Sequence, residues 1–266
     1  MMDAFYFGET RRPLFGVLHR PARPIRSPLL MCPPLLQDGI RSHRVLRAIA
    51  EGLAGAGAHV MRFDWYGTGD SGGATGELTL AGLLLDLGEA LAMLRPLAGR
   101  AGCRWLALRS GAIPLLAHAS TQFEPVDLVL WDPTLSGEQL VGEWSKQHRK
   151  QLLEAGRYPT GHGIAQPDEL LGFAVDPGLL SAIATFDAGQ VTLPAGSRVT
   201  MAAWKPGPAH EGFVERLRST GVAVECRTFE VDDRPCFEDP HRFETQAYPR
   251  RSAAQLVSWL TGGDAP

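Results

Sequence analysis

The sequence predicts an α/β protein: a mostly parallel central sheet covered by helices on both faces, with one segment inserted in the second half. Short apolar runs alternate with helical patterns from residue 28 to residue 132, which implies crossover connections between parallel strands. That rhythm breaks after residue 133 and resumes at residue 198. With 266 residues, of which 44% are hydrophobic and 21% charged, the chain suits one domain over 1–266 with a sizeable core.

In order, the expected strands are "PLLMC" (28–32), "AHVMRFD" (58–64), "CRWLAL" (103–108), "DLVLW" (127–131), "RVTMAAW" (198–204) and "VAVECRTFEV" (222–231). Each is a run of the length and β-branched or apolar content that a strand buried on both faces needs. Helices are expected near 42–56, 78–95 and 110–119, from about His210, and at the end through "QLVSWL". The stretch 134–190 places Leu140, Val141, Trp144, His148 and Leu152 on roughly one helical face, followed by the Gly- and Pro-rich "GRYPTGHGIAQPDE" and a short helix around Leu179 to Phe186. Insertions at the carboxyl ends of strands build lids over the ligand crevice of open α/β sheets, so 134–190 is read as a cap.

Charge and composition exclude several classes. A net charge of −3 supplies no positive field for nucleic acid or an anionic membrane. The basic residues of "RRPLFGVLHRPARPIR" (11–26), interrupted by prolines and apolar residues, are read as a solvated edge. The first residues lack the apolar core of a secretory signal. "LTLAGLLLDLGEALAMLRPL" carries Asp86 and Glu89 on helical spacing and is read as an amphipathic buried helix rather than a membrane span. Cys32, Cys103, Cys226 and Cys236 are scattered without a C-x-x-C, which indicates neither zinc nor a disulfide framework and favours a reducing cytoplasm. His43, His118 and His162 have no ligand partner at metal spacing, and "GTGDSGG" lacks the lysine and spacing of a phosphate loop, so no metal or cofactor is expected.

Three pieces, "CPPLLQD" (32–38), "RFDWYGTGDSGG" (62–73) and "LALRSGAIPLL" (106–116), resemble in order and spacing an α/β-hydrolase of the serine-aminopeptidase-like type. The second is similar to the D-x-x-G-x-G-x-S loop after the fourth strand of those proteins. Within that superfamily, "RSHRVLRAIAEGLAGAGAHVMRFDWYGTGDSGG", "LRSGA" and "LWDP" most resemble the exosortase A system-associated hydrolases, type 2, which are met in bacterial exopolysaccharide and protein-sorting gene neighbourhoods. The resemblance covers most of the chain except the cap. It implies the α/β-hydrolase fold, while the chemistry has to be read from the residues.

In the G-x-S-x-G elbow of that fold the nucleophile stands on a strained strand-to-helix turn flanked by small residues. Laid on this sequence, the pattern reads Ala107, Leu108, Arg109, Ser110, Gly111. The small flanks are present, but the apex is an arginine, permanently protonated and without a lone pair to attack with. Ser110 falls one residue later, where the resemblance implies a backbone N–H of the oxyanion hole, and Pro114 predicts a kink or tight turn at the helix start. Asp132 in "LWDP" ends the next strand, where some α/β-hydrolases carry their acid; it reads equally as a turn or helix-cap device. His241 in "EDPHRF" matches the histidine position of the fold.

Two readings of Arg109 follow. Beside backbone donors at Leu35, Leu36 and Ser110 its fork suits a carboxylate or phosphate, making the crevice a binder of an anionic metabolite, a glycan or lipid intermediate, or a partner's terminus. Alternatively Arg109 pairs internally with Asp132 and plugs the site. The enzyme alternative is a hydrolase of a small ester, thioester or amide in which His241 and Asp132 activate Ser110 or water. A further reading makes the Gly- and Pro-rich cap a docking surface for a protein of the same pathway.

Overall fold

The computed structural model describes residues 1–99, 102–154, 168–234 and 249–262. Two N-terminal strands, β1 (Met2–Glu9) and β2 (Arg12–His19), form an antiparallel hairpin that the sequence reading did not foresee. Then come β3 (Leu29–Cys32), α1 (Leu36–Gly55), β4 (Val60–Phe63), α2 (Leu80–Ala98), β5 (Arg104–Leu108), α3 (Ala112–Ala119) and β6 (Asp127–Trp131). The stretch expected to cap the crevice lies between β6 and β9: α4 (Gly137–Glu154), a small hairpin of β7 (Glu169–Leu170) and β8 (Phe173–Ala174), and α5 (Pro177–Ala184). The main sheet resumes with β9 (Arg198–Ala203), α6 (Pro208–Ser219) and β10 (Ala223–Thr228), and α7 (Arg250–Thr261) closes the described chain.

Among the described residues the main sheet has eight strands in the order β1-β2-β4-β3-β5-β6-β9-β10. From β4 to β10 every neighbouring pair is parallel, and only the β1–β2 and β2–β4 pairs are antiparallel. Side chains of a strand alternate between faces, and the two apolar layers follow that alternation. Leu30, Cys32, Trp105, Ala107, Leu128, Leu130, Val199 and Met201 pack on one face with α2, α3, α6 and apolar residues of 140–193. Leu29, Met31, Leu106, Leu108, Val129, Trp131 and Ala202 pack on the other with α1 and α7. Because both faces are covered, these strands read as unbroken apolar runs in the sequence.

The second layer contains a chain of rings, Trp131, Trp204, Phe229 and Trp259, with successive centroids 5.1–5.6 Å apart. Trp204 Nε1 donates to Ser252 Oγ at 2.8 Å, and Asp233 accepts from the backbone N–H groups of Arg251 and Ser252, capping the otherwise unpaired first turn of α7.

Of the basic stretch expected as a solvated edge, Arg11, Arg20, Arg23 and Arg26 are exposed, but residues 12–19 form the strand β2 and Arg12 is turned to the interior. Arg12 donates through Nε and a terminal nitrogen to Asp86 Oδ1 at 3.1 and 2.9 Å, and its guanidinium lies 4.0 Å from the centre of the Tyr66 ring. Asp86 Oδ2 accepts from Tyr66 N at 3.0 Å. This clamp ties the hairpin to α2. Burial raises the Asp86 carboxyl above its usual range, against the opposing pull of the Tyr66 N–H and Arg12.

The loop "DWYGTGDS" is fastened to the same hairpin. Ser71 Oγ donates to Asp64 O and accepts from Phe15 N, while Gly72 N donates to Pro13 O. Asp64 Oδ2 accepts from Asp70 N, and a Cβ at Gly69 would lie 2.2 Å from that same oxygen, so glycine is required there.

Candidate functional site

The carboxyl ends of β3, β5 and β6 meet at one place, and each is followed by a residue in the left-handed region: Leu36 at φ 50°, Arg109 at φ 48° and Asp132 at φ 45°. Non-glycine residues there carry steric strain, and clusters of such strain mark functional sites. The turn at Arg109 forms because β5 ends at Leu108 and one 3-10 turn, Arg109–Gly111, leads directly into α3. The tight start expected from Pro114 is this turn; Pro114 itself occupies the third helical position, where a missing N–H leaves no intrahelical bond unmade.

The small flanking residues have a measurable reason. Ala107 is fully buried, and a Cβ on Gly111 would sit 2.7 Å from Pro33 O and 2.9 Å from Cys32 O. The loop after β3 therefore runs directly against the elbow. Cys32 Sγ donates to Gly111 O at 3.3 Å, Trp65 Nε1 donates to Pro33 O at 3.1 Å, and Arg109 O accepts from Thr134 N at 3.1 Å.

At the apex Arg109 stands between two carboxylates. Its Nε donates to Asp38 Oδ2 and its NH1 to Asp132 Oδ2, both at 3.2 Å. Burial works against the charge, but Asp38, Asp132 and Glu143 outweigh it and hold the guanidinium above its ordinary pKa. The side chains of Arg109 and Asp132 are 20% and 18% exposed and that of Asp38 only 7%, so the arrangement opens toward Asp132. Two more guanidinium groups feel these carboxylates: Arg41 interacts electrostatically with Asp38, and Arg234 with Asp132. Arg234 is itself bonded to Asp232, whose other partner is Lys205.

The structure thus brings Arg109 and Asp132 together as one sequence reading expected, and adds Asp38, which that reading missed. Asp38 is in the first turn of α1, which starts at Leu36 rather than near residue 42. Ser110 is completely buried and its Oγ accepts from Leu35 N at 2.9 Å. Consequently the Leu35 N–H, expected to serve a ligand, is already bonded inside the protein. His241, His162 and Cys236 lie outside the described residues.

Among the described residues no three His, Cys, Asp or Glu side chains come together as a metal site would require, and no helix is long and apolar enough to cross a membrane. Cys32, Cys103 and Cys226 are unpaired thiols; burial raises the Cys32 thiol well above its ordinary value and that of Cys103 to about 11, which keeps both protonated and unreactive.

No protein-family model and no curated protein matches the chain. Solved structures do. Est1E from Butyrivibrio proteoclasticus is 14% identical with a TM-score of 0.64, over 97% of this chain and 98% of that one. The alpha/beta hydrolase GrgF from a Penicillium species is 14% identical with a TM-score of 0.61, over 98% and 99%. The esterase Pf2001 of Pyrococcus furiosus is 15% identical with a TM-score of 0.61, over 99% and 93%. At these identities the likeness is one of architecture, and together with the parallel sheet and the strained turn after β5 it establishes that the chain has the α/β-hydrolase fold.

Proposed function

We infer that this protein binds a small molecule in the crevice at the carboxyl ends of the strands and forms no acyl-enzyme. One observation carries the reading: the residue on the strained turn is an arginine bonded to two carboxylates, while the neighbouring serine accepts the Leu35 N–H in the interior. A guanidinium cannot attack a carbonyl, and a hydroxyl with no solvent exposure cannot meet one.

Arg109 and Asp132 present a donor and an acceptor side by side at the open end of the cluster. A ligand with vicinal hydroxyls can bond to both without separating the pair, whereas a bare anion has to displace Asp132 from the guanidinium. Polyhydroxylated ligands, glycans among them, therefore suit the site best. The resemblance of the sequence to exosortase-associated hydrolases, met beside exopolysaccharide genes, supports the same class. The anionic alternative draws support from Arg41 and Arg234, whose charges reach Asp38 and Asp132. In this reading 134–190 caps the crevice, 1–266 is one domain, and the unpaired thiols suit the cytoplasm.

The test combines covalent labelling with titration. A fluorophosphonate probe is expected to leave the protein unlabelled and short-chain esters unhydrolysed, and Asp132→Asn is expected to weaken glycan binding at least tenfold in calorimetry. Labelling that disappears in Ser110→Ala would overturn the proposal and restore the hydrolase alternative with Asp132 and His241. Tight binding of a phosphorylated or carboxylated sugar, with its neutral parent inert, would select the anionic reading.

A further inference from the structure

The main sheet ends at β10, which among the described residues has a neighbouring strand on one side only. Five of its six residues are exposed and Val224 is half-buried. Its pairing with β9 runs without interruption from Ala223 opposite Arg198 to Thr228 opposite Ala203. The edge is therefore regular, and neither a bulge nor a proline turns it away from another chain.

Two backbone bonds fix which groups face outward. Ala223 N donates to Ser197 O and Phe229 N to Ala203 O, so residues 223, 225, 227 and 229 turn their N–H and C=O groups toward β9. Val224, Cys226 and Thr228 turn theirs to the free edge. There Val224 O accepts from Nη2 of the exposed Arg218 at 3.0 Å, which leaves that oxygen a second lone pair. The side chains alternate in the same rhythm. Glu225 and Arg227 share the face of α7, where they are paired with each other and Arg227 lies 5.7 Å from the centre of the Trp259 ring. Cys226 stands on the opposite face with Val224, which packs on the first apolar layer.

When two such edges pair antiparallel, outward groups have to meet outward groups. With a two-fold axis at Cys226, the two Cys226 residues oppose each other, Val224 opposes Thr228, and Glu225 of each copy opposes Arg227 of the other. Moving the axis to Glu225 or to Arg227 sets that charge against itself. The edge is thus complementary to its own copy in one register and repulsive in the two beside it. We propose that this protein forms a two-fold dimer in which β10 pairs antiparallel with β10 of a second copy, in the register centred on Cys226. The side chains of Glu225 and Arg227 are about half exposed, so exchanging their pairing within one chain for two pairings across the axis costs little desolvation. The edge is only six residues long, which makes the association reversible and dependent on concentration. The inference is independent of the crevice at Arg109 and of the function proposed for it.

The experiment is sedimentation velocity of the full chain from about 1 μM to about 1 mM, where a monomer–dimer equilibrium is expected. Glu225→Arg and Arg227→Glu each set like charges across the axis and should weaken dimerisation about tenfold, whereas the two exchanges combined should restore it. Both positions are exposed, so the unfolding midpoint should not move, which separates lost association from lost folding. Opposed residues of a hydrogen-bonded antiparallel pair have Cα atoms about 5.5 Å apart, so a short bismethanethiosulfonate should join two copies at Cys226, as located by peptide mass analysis. A chain that stays monomeric over the whole range overturns the proposal. So does a dimer indifferent to both single exchanges, a double exchange that fails to restore association, or a dimer that gives no link at Cys226.

Discussion

Two arginines of this protein each hold buried aspartate, and they do it on different backbones. Arg12 reaches Asp86 from a regular strand to a regular helix, with no residue of the clamp in the left-handed region. Arg109 reaches Asp38 and Asp132 from the bend after β5, and both Arg109 and Asp132 have positive φ. The first pair has the marks of a fastening, since it joins the hairpin to the body at no conformational cost. The second accepts strain at two chain reversals to place three charged groups at the carboxyl ends of the strands, which packing alone does not require. Ion-pair chemistry is thus common to both, and the backbone beneath it distinguishes a fastening from a candidate site.

The largest effect is expected at the fastening. Arg12→Ala leaves Asp86, whose side chain is 2% exposed, without its cation, and should cost about 3–5 kcal/mol in denaturant unfolding. Arg109→Ala should cost less, about 2–3 kcal/mol, because Asp132 keeps some contact with water and Arg41 still faces Asp38. An Arg109 variant as destabilising as the Arg12 one would erase the contrast. A finer comparison separates charge from strain: Arg109→Gly should be about 1 kcal/mol more stable than Arg109→Ala, since glycine tolerates φ 48° without a Cβ clash. Equal stabilities would mean that the bend is unstrained.

The smallest effect concerns a third arginine, whose partner is neutral. Arg62 Nε donates to His19 Nε2 at 3.2 Å, and burial, aided by the Arg62 charge, lowers the His19 pKa to about 4, with Glu51 opposing. Between the ordinary value and about 4 the unfolded chain binds this proton and the folded one does not, so stability falls as pH falls through that window. The loss should be roughly 0.7 kcal/mol between about pH 7 and about pH 6. His19→Gln keeps an acceptor for Arg62 but does not titrate, and chemical denaturation at the two pH values should show this part of the slope vanish.

How much of this was legible in the sequence depends on the range of the interaction. Strands buried on both faces announce themselves as apolar runs, and "DLVLW" is β6 residue for residue. The arginine at the bend was legible too, because a strand, a polar pair and a glycine specify the turn locally. The hairpin β1–β2 was not: its inward residues are interrupted by Asp3, Glu9, Arg11 and Arg12, and its stability comes from contacts with Asp86 and Ser71 far along the chain. Asp38 escaped for the same reason, being 71 residues from Arg109. It stood within "CPPLLQD", the motif that marked the loop, and a carboxylate there facing an arginine apex is the signal that could have found it. His148 was placed on the apolar face of α4, but the hydrogen bond that its Nδ1 accepts from Leu171 N depends on the fold of 168–175 and has no local signature.

The hydrogen bond from Leu35 N to Ser110 Oγ carries a consequence for the history open to this chain. Exchanging the apex arginine for serine would supply an attacking hydroxyl yet leave one amide beside it locked by the next side chain along. Freeing that amide calls for a second change, at Ser110, and the first offers little for selection to favour without it. Acyl chemistry at this bend therefore needs two changes together, since neither alone supplies both an attacking hydroxyl and a free amide.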